Sequence, residues 1–289
     1  MSKKENPVVA LVYDFDGTLS PGNMQEFGFI NALGMKPAEF WAKAEKLSKD
    51  NDASGILCYM RLMIEEAKAR GISLRQKSFR SFGKNVELYS GVKEWFALVN
   101  EYGKSKDLEI RHYINSSGLK EIIEGTNIAS EFENIYACSF IYDVDGVAIW
   151  PAVAIDFTTK TQFLFKINKG ITSVSDNTEV NNYMPDDERP IPFKRMIYFG
   201  DGKTDIPCMK MVKQNGGHSI AVYRPRSAEK KREAKRLILE ERVNFVCPAD
   251  YRGGKDISNV VKTIIDKIKS DYEFEKLLNK HRTSAASAC

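Results

Sequence analysis

Apolar and polar positions change period several times along this chain, and each change marks an element. Residues 8–13, Val-Val-Ala-Leu-Val-Tyr, are an unbroken and largely β-branched run, the pattern of a strand buried on both faces of a parallel sheet. From residue 25 the period becomes helical, and helices are expected over 25–34, 37–49, 54–70 and 73–88. Pro37 suits a first turn, Phe40, Trp41, Ala44 and Leu47 form one stripe, Ser54 can cap the third helix, and Gly71 follows its end. No strand pattern interrupts the stretch from Leu19 to Leu88, which therefore reads as an all-helical insertion.

Alternation of the two periods then resumes. A helix is expected over 91–102, a strand over 108–115, a helix over 119–125 and a strand over 132–137. A hairpin follows, with strands 139–142 and 147–150 about the turn Asp143-Val144-Asp145-Gly146. Thr158 and Thr159 open the next helix, strands are expected over 196–199, 219–223 and 243–246, and a late helix over 257–268. Strands alternating with helices predict an α/β fold built on a parallel sheet. Residues 171–193, rich in Asn, Asp and Pro, read as an irregular surface loop at the sheet edge remote from the first strand's end. Residues 283–289 read as a disordered tail.

Composition changes this picture little. A chain of 289 residues with 43% hydrophobic and 28% charged residues can bury a substantial core. Its formal charge of +4 is too mild to indicate nucleic-acid binding, and the charged segment 230–242 reads as a solvated helix face. No apolar run is long enough to span a bilayer, and residues 1–6 lack a signal-peptide core. Five scattered cysteines without CxxC spacing favour reduced thiols and a cytoplasmic protein.

The candidate chemistry sits where strands end. Asp14-Phe15-Asp16-Gly17-Thr18 closes the first strand, and alternation puts Asp14 and Asp16 on one side at the carboxyl edge of the sheet. Open α/β sheets place ligands at that edge. Two carboxylates so close repel when ionised, so the site calls for a cation or a shared proton. Ser116-Ser117-Gly118 ends a later strand at an expected helix start, a ready anion site. Gly200-Asp201-Gly202-Lys203-Thr204-Asp205 supplies two further carboxylates after another strand, and hard oxygen donors of this kind suit Mg²⁺.

Asp14-Phe15-Asp16-Gly17-Thr18-Leu19 resembles the first signature of the haloacid dehalogenase (HAD) superfamily, and Gly200-Asp201-Gly202-Lys203-Thr204-Asp205 resembles its GDGxxD motif. By that resemblance Ser116 would bind the transferring phosphoryl group with help from the Ser117 N–H. The family's motif lysine, which opens the helix after the third unit, matches Lys160 best and Lys166 second. The fold implied is a HAD-like Rossmannoid parallel sheet. Residues 1–19 and 90–289 would form the catalytic core, and 20–89 an inserted helical-bundle cap.

The implied activity is a Mg²⁺-dependent phosphatase acting on a small phosphorylated metabolite, with no nucleic-acid or membrane partner. Asp14 would be the nucleophile and Asp16 the acid and base. Asp14, Asp201 and the Asp16 carbonyl would hold the metal, with Asp205 as ligand or ligand-orienter. Dehalogenases of the superfamily need no leaving-group acid at position 16 and cation pumps carry Thr there, so Asp16 favours a phosphatase. The helical insertion resembles the phosphoserine-phosphatase branch. That branch commonly has a substrate-amine-binding Glu where Asn23 stands and Asn where Thr204 stands, which counts against phosphoserine itself. Asn23, Phe27 and Arg61 are the expected specificity residues of the cap. A phosphotransferase or phosphomutase using the same site, and a non-catalytic binding protein on this scaffold, are the alternatives.

Overall fold

The computed structural model describes residues 6–286. Strands β1 (Val8–Tyr13), β2 (Glu109–Leu119), β3 (Phe132–Tyr142), β4 (Ala148–Val153), β5 (Met196–Gly200), β6 (His218–Tyr223) and β7 (Phe245–Pro248) form one sheet. Its seven strands run in the order β4-β3-β2-β1-β5-β6-β7. All neighbours are parallel except β3 and β4, which form an antiparallel hairpin at one edge. The α/β fold expected from the alternating periods is therefore the one observed.

The order of connection reverses at β1, where Val12 lies opposite Tyr113 of β2 on one side and Tyr198 of β5 on the other. Chains leaving in opposite directions from neighbouring strands open a crevice at the carboxyl edge. β1 owes its central place to its side chains: residues Val9 to Tyr13 are all 0% exposed. Trp95, Phe96 and Val99, on the buried stripe of the helix Val92–Ser105, help close the core.

Beneath β1 lies a buried polar chain. Trp95 Nε1 donates to the Tyr13 hydroxyl at 2.9 Å, which is 3.0 Å from His112 Nδ1, and His112 Nε2 is 3.0 Å from Asn100 Oδ1. Burial pushes the His112 pKa down to about 3, so the ring is neutral. One tautomer satisfies every group: Tyr13 donates to Nδ1 and Nε2–H donates to Asn100.

Several boundaries differ from those expected. Residues 25–34 do not form one helix; a 3₁₀ turn, Met24–Phe27, is followed by a one-turn helix, Phe29–Ala32, because Gly28 interrupts the helical backbone between them. The helix expected over 73–88 is Gln76–Gly83 alone. Its N-terminal flank is drawn onto the β3–β4 hairpin, where the Ala148 N–H donates to Leu74 O and the Gln76 N–H to Gly146 O. The late helix runs through Asp256–Ala286, so residues 283–286 of the expected disordered tail are helical; 287–289 lie outside the described residues. The 171–193 segment contains one helical turn, Thr178–Asn181, and is pinned by Lys166 and Lys169, which donate to its backbone carbonyls.

Candidate active site

Asp14 is fixed at the crevice by its own backbone, whose N–H donates to Phe199 O of β5 at 2.9 Å. The chain then turns sharply: the N–H groups of Thr18, Leu19 and Ser20 all donate to Phe15 O. Gly17 makes this turn with a φ of +78°, and a Cβ there would stand 2.1 Å from Asp201 Oδ2. Both the left-handed backbone and the closeness of Asp201 therefore require glycine. The Asp16 side chain is held from the insertion, its Oδ1 accepting from the Met24 N–H at 2.9 Å.

Lys160 is the charged centre of the site. It lies at the start of the helix Thr159–Lys169, is 0% exposed, and reaches Asp14 Oδ1 at 3.0 Å and Asp205 Oδ1 at 2.6 Å. Asn115 on β2 donates to the Lys160 carbonyl at 3.0 Å, and the Tyr198 hydroxyl donates to Asp205 Oδ1 at 2.8 Å. Burial acts to lower the lysine's pKa, but the two carboxylates outweigh it and hold the ammonium charged.

The acids are pushed the other way. Burial, then repulsion from Asp205, raises Asp14 to about 6 despite the attraction of Lys160. Burial and the neighbouring Asp14 hold Asp16 well above the usual carboxylate range, and the Met24 N–H only partly offsets them. Asp201 is raised to about 8 by burial, then by Asp14 and Asp205. An anionic cluster of this kind stores affinity for a cation.

Carboxylate oxygens of Asp14, Asp201 and Asp205 lie within 4.8 Å of one another, which fits the hard-oxygen donor set of a divalent metal. Asp14 and Asp201 would hold the ion. Both Asp205 oxygens accept hydrogen bonds, Oδ1 from Lys160 and Tyr198 and Oδ2 from the Gly202 N–H, an arrangement that suits a residue orienting the other ligands.

One cavity of about 520 Å³ joins this cluster to the helical insertion. Asp14, Asp16, Ser116, Ser117 and Asp201 line it from the sheet edge, and Asn23, Gln25, Glu26, Trp41 and Tyr59 from the insertion. Ser116 is present but differs from expectation: β2 runs on through Leu119 with a register shift after Asn115, and the helix starts only at Lys120. The Ser116 Oγ accepts from the Gly118 N–H at 3.1 Å.

Other candidates fall elsewhere. Lys166 donates to the carbonyls of Ser173 and Asp176, about 1.7 helical turns along from Lys160. Arg61 pairs with Glu65 and lines a separate groove with Leu57, Ile149 and Trp150, because its helix turns that face outward. Phe27 packs beside Gly22 and is not among the residues lining the cavity. Gln25, Glu26, Trp41, Tyr59 and Tyr198 are not among the site residues expected from the sequence, where Trp41 reads as part of an apolar helix stripe and the others as ordinary residues of a helix or core strand. Lys230, from the segment expected to be a solvated face, also lines the cavity.

Comparison with known proteins agrees with this architecture. The pattern of the haloacid dehalogenase-like hydrolases matches residues 11–210. An uncharacterised protein of Borreliella burgdorferi is 27% identical over 286 residues, covering 90% of this chain and 96% of its own. A probable phosphoserine phosphatase of Vibrio cholerae superposes with a TM-score of 0.58 at 12% identity, over 93% of this chain and 69% of the other. A substrate-bound phosphoserine phosphatase does so with a TM-score of 0.52 at 15% identity, over 91% and 99%. With its acids and lysine at the carboxyl edge of a sheet shared with phosphoserine phosphatases, the chain belongs to the haloacid dehalogenase-like hydrolases.

Proposed function

We propose that this hydrolase is a Mg²⁺-dependent phosphatase that cleaves a small phosphomonoester through an aspartyl-phosphate on Asp14. The observation that carries the reading is the placement of Asp14: buried, open to the cavity, 3.0 Å from a fully buried lysine, and two residues from a second, separately held carboxyl. That combination supplies a nucleophile, a fixed cation and a proton carrier in one place.

In the first step an Asp14 carboxylate oxygen attacks phosphorus while the bond to the leaving oxygen breaks, and Asp16 gives that oxygen its proton. In the second, Asp16, now ionised, takes a proton from water, whose oxygen attacks phosphorus and breaks the bond to Asp14. Lys160 and Ser116 hold phosphoryl oxygens throughout. A bound Mg²⁺ would screen the phosphate's charge from Asp14. The raised pKa of Asp16, which makes it a weaker acid, supports its role as the group that arrives protonated.

The remaining assignments follow the same reading. The described residues of the segments 1–19 and 90–289 form the catalytic core, and 20–89 act as a cap that excludes water and selects the substrate. The four described cysteines are free thiols, which suits a reducing, cytoplasmic setting. No described helix is long and apolar enough to cross a membrane.

Rapid quenching with phosphorus-labelled substrate tests the mechanism. Label is expected on a peptide containing Asp14 in the native chain and on none in Asp14→Asn. Label on Ser116, or near-normal turnover by Asp14→Asn, would overturn it.

A further inference from the structure

The wall of the cavity that the insertion supplies has an uneven supply of hydrogen-bonding groups. Glu26 lies in the 3₁₀ turn anchored to Asp16 through the Met24 N–H. Its Oε1 accepts from Trp41 Nε1 and from Asn23 Nδ2, both at 2.7 Å, so the carboxylate is held in one position. The Tyr59 hydroxyl donates to Ser117 O at 2.8 Å. Three donors of this wall are thus spent on the protein. Acceptors remain: no Lys or Arg pairs with Glu26 among the described residues, and the Oε1 of Gln25, 2% exposed, has no hydrogen-bond partner; the Ser117 Oγ is likewise unpartnered and, being a neutral hydroxyl, can donate or accept but offers no charge to match a ligand anion. Trp41 and Tyr59 line the same wall with rings 5.7 Å apart and crossed at 70°.

A fixed, unpaired carboxylate beside two aromatic rings is complementary to an organic cation. The opposite charge finds no match there. Lys230 is the one Lys or Arg among the residues lining the cavity; it is paired with Glu233 at 2.9 Å and feels the charge of Asp201, on the phosphoryl side. A ligand carboxylate would meet Glu26 without a guanidinium to offset the repulsion.

We infer that the cavity selects phosphomonoesters of amino alcohols that carry an ammonium group and no carboxylate, with Glu26 as counter-ion and Trp41 and Tyr59 as its aromatic walls. This rests on the phosphatase reading and adds the substrate class. Asn23 and Trp41 act on selection by holding Glu26. The 520 Å³ cavity is of the size that encloses a ligand of this kind.

The test compares kcat/KM, with Mg²⁺ present, for 2-aminoethyl phosphate, its N-trimethyl analogue, and 3,3-dimethylbutyl phosphate, which has the trimethyl shape without the charge. Phosphoserine and an aryl phosphate complete the panel. At least one ammonium ester is expected to exceed the neutral isostere by roughly 10- to 100-fold, the factor a charge-assisted contact supplies. Phosphoserine should fall below 2-aminoethyl phosphate. Glu26→Gln should collapse the ratio of ammonium to neutral ester, and Trp41→Phe, which keeps a ring but loses the N–H that holds Glu26, should reduce it. On the native chain, choline should compete with the aryl phosphate and 3,3-dimethylbutan-1-ol should not.

Aryl phosphate turnover with equal use of charged and neutral esters would overturn this inference and leave the phosphatase reading standing. A Glu26→Gln chain with an unchanged ratio would also overturn it. Failure to hydrolyse any ester, the aryl phosphate included, would overturn both.

Discussion

Asp14 and Asp16 are chemically identical and two residues apart, yet their surroundings give them different work under the proposed mechanism. Asp14 faces a lysine ammonium, whereas Asp16 is held by a backbone N–H. Asp16→Asn keeps the nucleophile but removes the proton carrier, so turnover should fall by about 10²–10⁴-fold. The loss should be smaller for an aryl than for an alkyl phosphate, since an aryl leaving group needs less protonation; equal losses in steady-state assays would contradict the role. Lys160 is bound to both Asp14 and Asp205. Lys160→Met would leave two buried carboxyls without their cation, and breaking a buried pair in this way costs about 3–5 kcal/mol. Urea unfolding should show that loss together with inactivity, and a Lys160→Met chain of native stability would show the pairing to be unimportant to the fold.

At the scale of elements, the insertion is fastened to the core at one end by a close backbone crossing. The helix Gln76–Gly83 crosses the helix Lys120–Glu124 so closely that a Cβ on Gly125 would stand 1.8 Å from Arg80 O. Arg80 and Glu124 reinforce the crossing with an ion pair at 2.7 Å. Backbone cannot swing aside as a side chain can, so Gly125→Ala should destabilise the protein by about 1–3 kcal/mol, read as a lower melting temperature. The outward face of the helix Gly55–Ala69, which carries Arg61, and the cavity-lining Asn23 give two contrasting outcomes. Arg61→Ala should leave the ranking of substrates unchanged, because Arg61 lines another groove. Asn23→Ala should change that ranking by loosening Glu26, and kcat/KM across a substrate panel decides both.

Over the whole molecule, the acid cluster links stability, pH and metal. Asp14 and Asp201 are raised to about 6 and about 8, above the value of an unfolded aspartate. The folded chain therefore binds more protons than the unfolded one in this range, and metal-free stability falls as pH rises through it. The contribution is fully present below the unfolded aspartate pKa and is lost through the folded values. Mg²⁺ bound at the cluster as proposed would replace the departing protons, so its stabilisation should grow over the same window. Thermal melts with Mg²⁺ and with EDTA should differ more at pH 8 than at pH 6. A difference that does not change with pH would place the metal away from this cluster.

Much of this molecule was legible in its sequence because the relevant physics is local. The apolar run Val8 to Tyr13 could only be a buried strand, and the acids after β1 and β5 follow from strand ends that meet at one edge. Lys160 could be placed at a helix start, but its burial between Asp14 and Asp205 depends on residues far apart in the chain. The same is true of Glu26, whose fixed carboxylate depends on Trp41, and of Tyr59, which reaches Ser117. Arg61 went astray for the complementary reason: helical periodicity identifies faces but not which neighbour each face meets. The sequence alone determined the sheet, the insertion and the order of the acids, since strand and helix periods and strand ends are properties of short segments. Only the tertiary structure decided which insertion side chains enter the cavity and which charges lie unpaired there, because those depend on contacts closed across long stretches of chain.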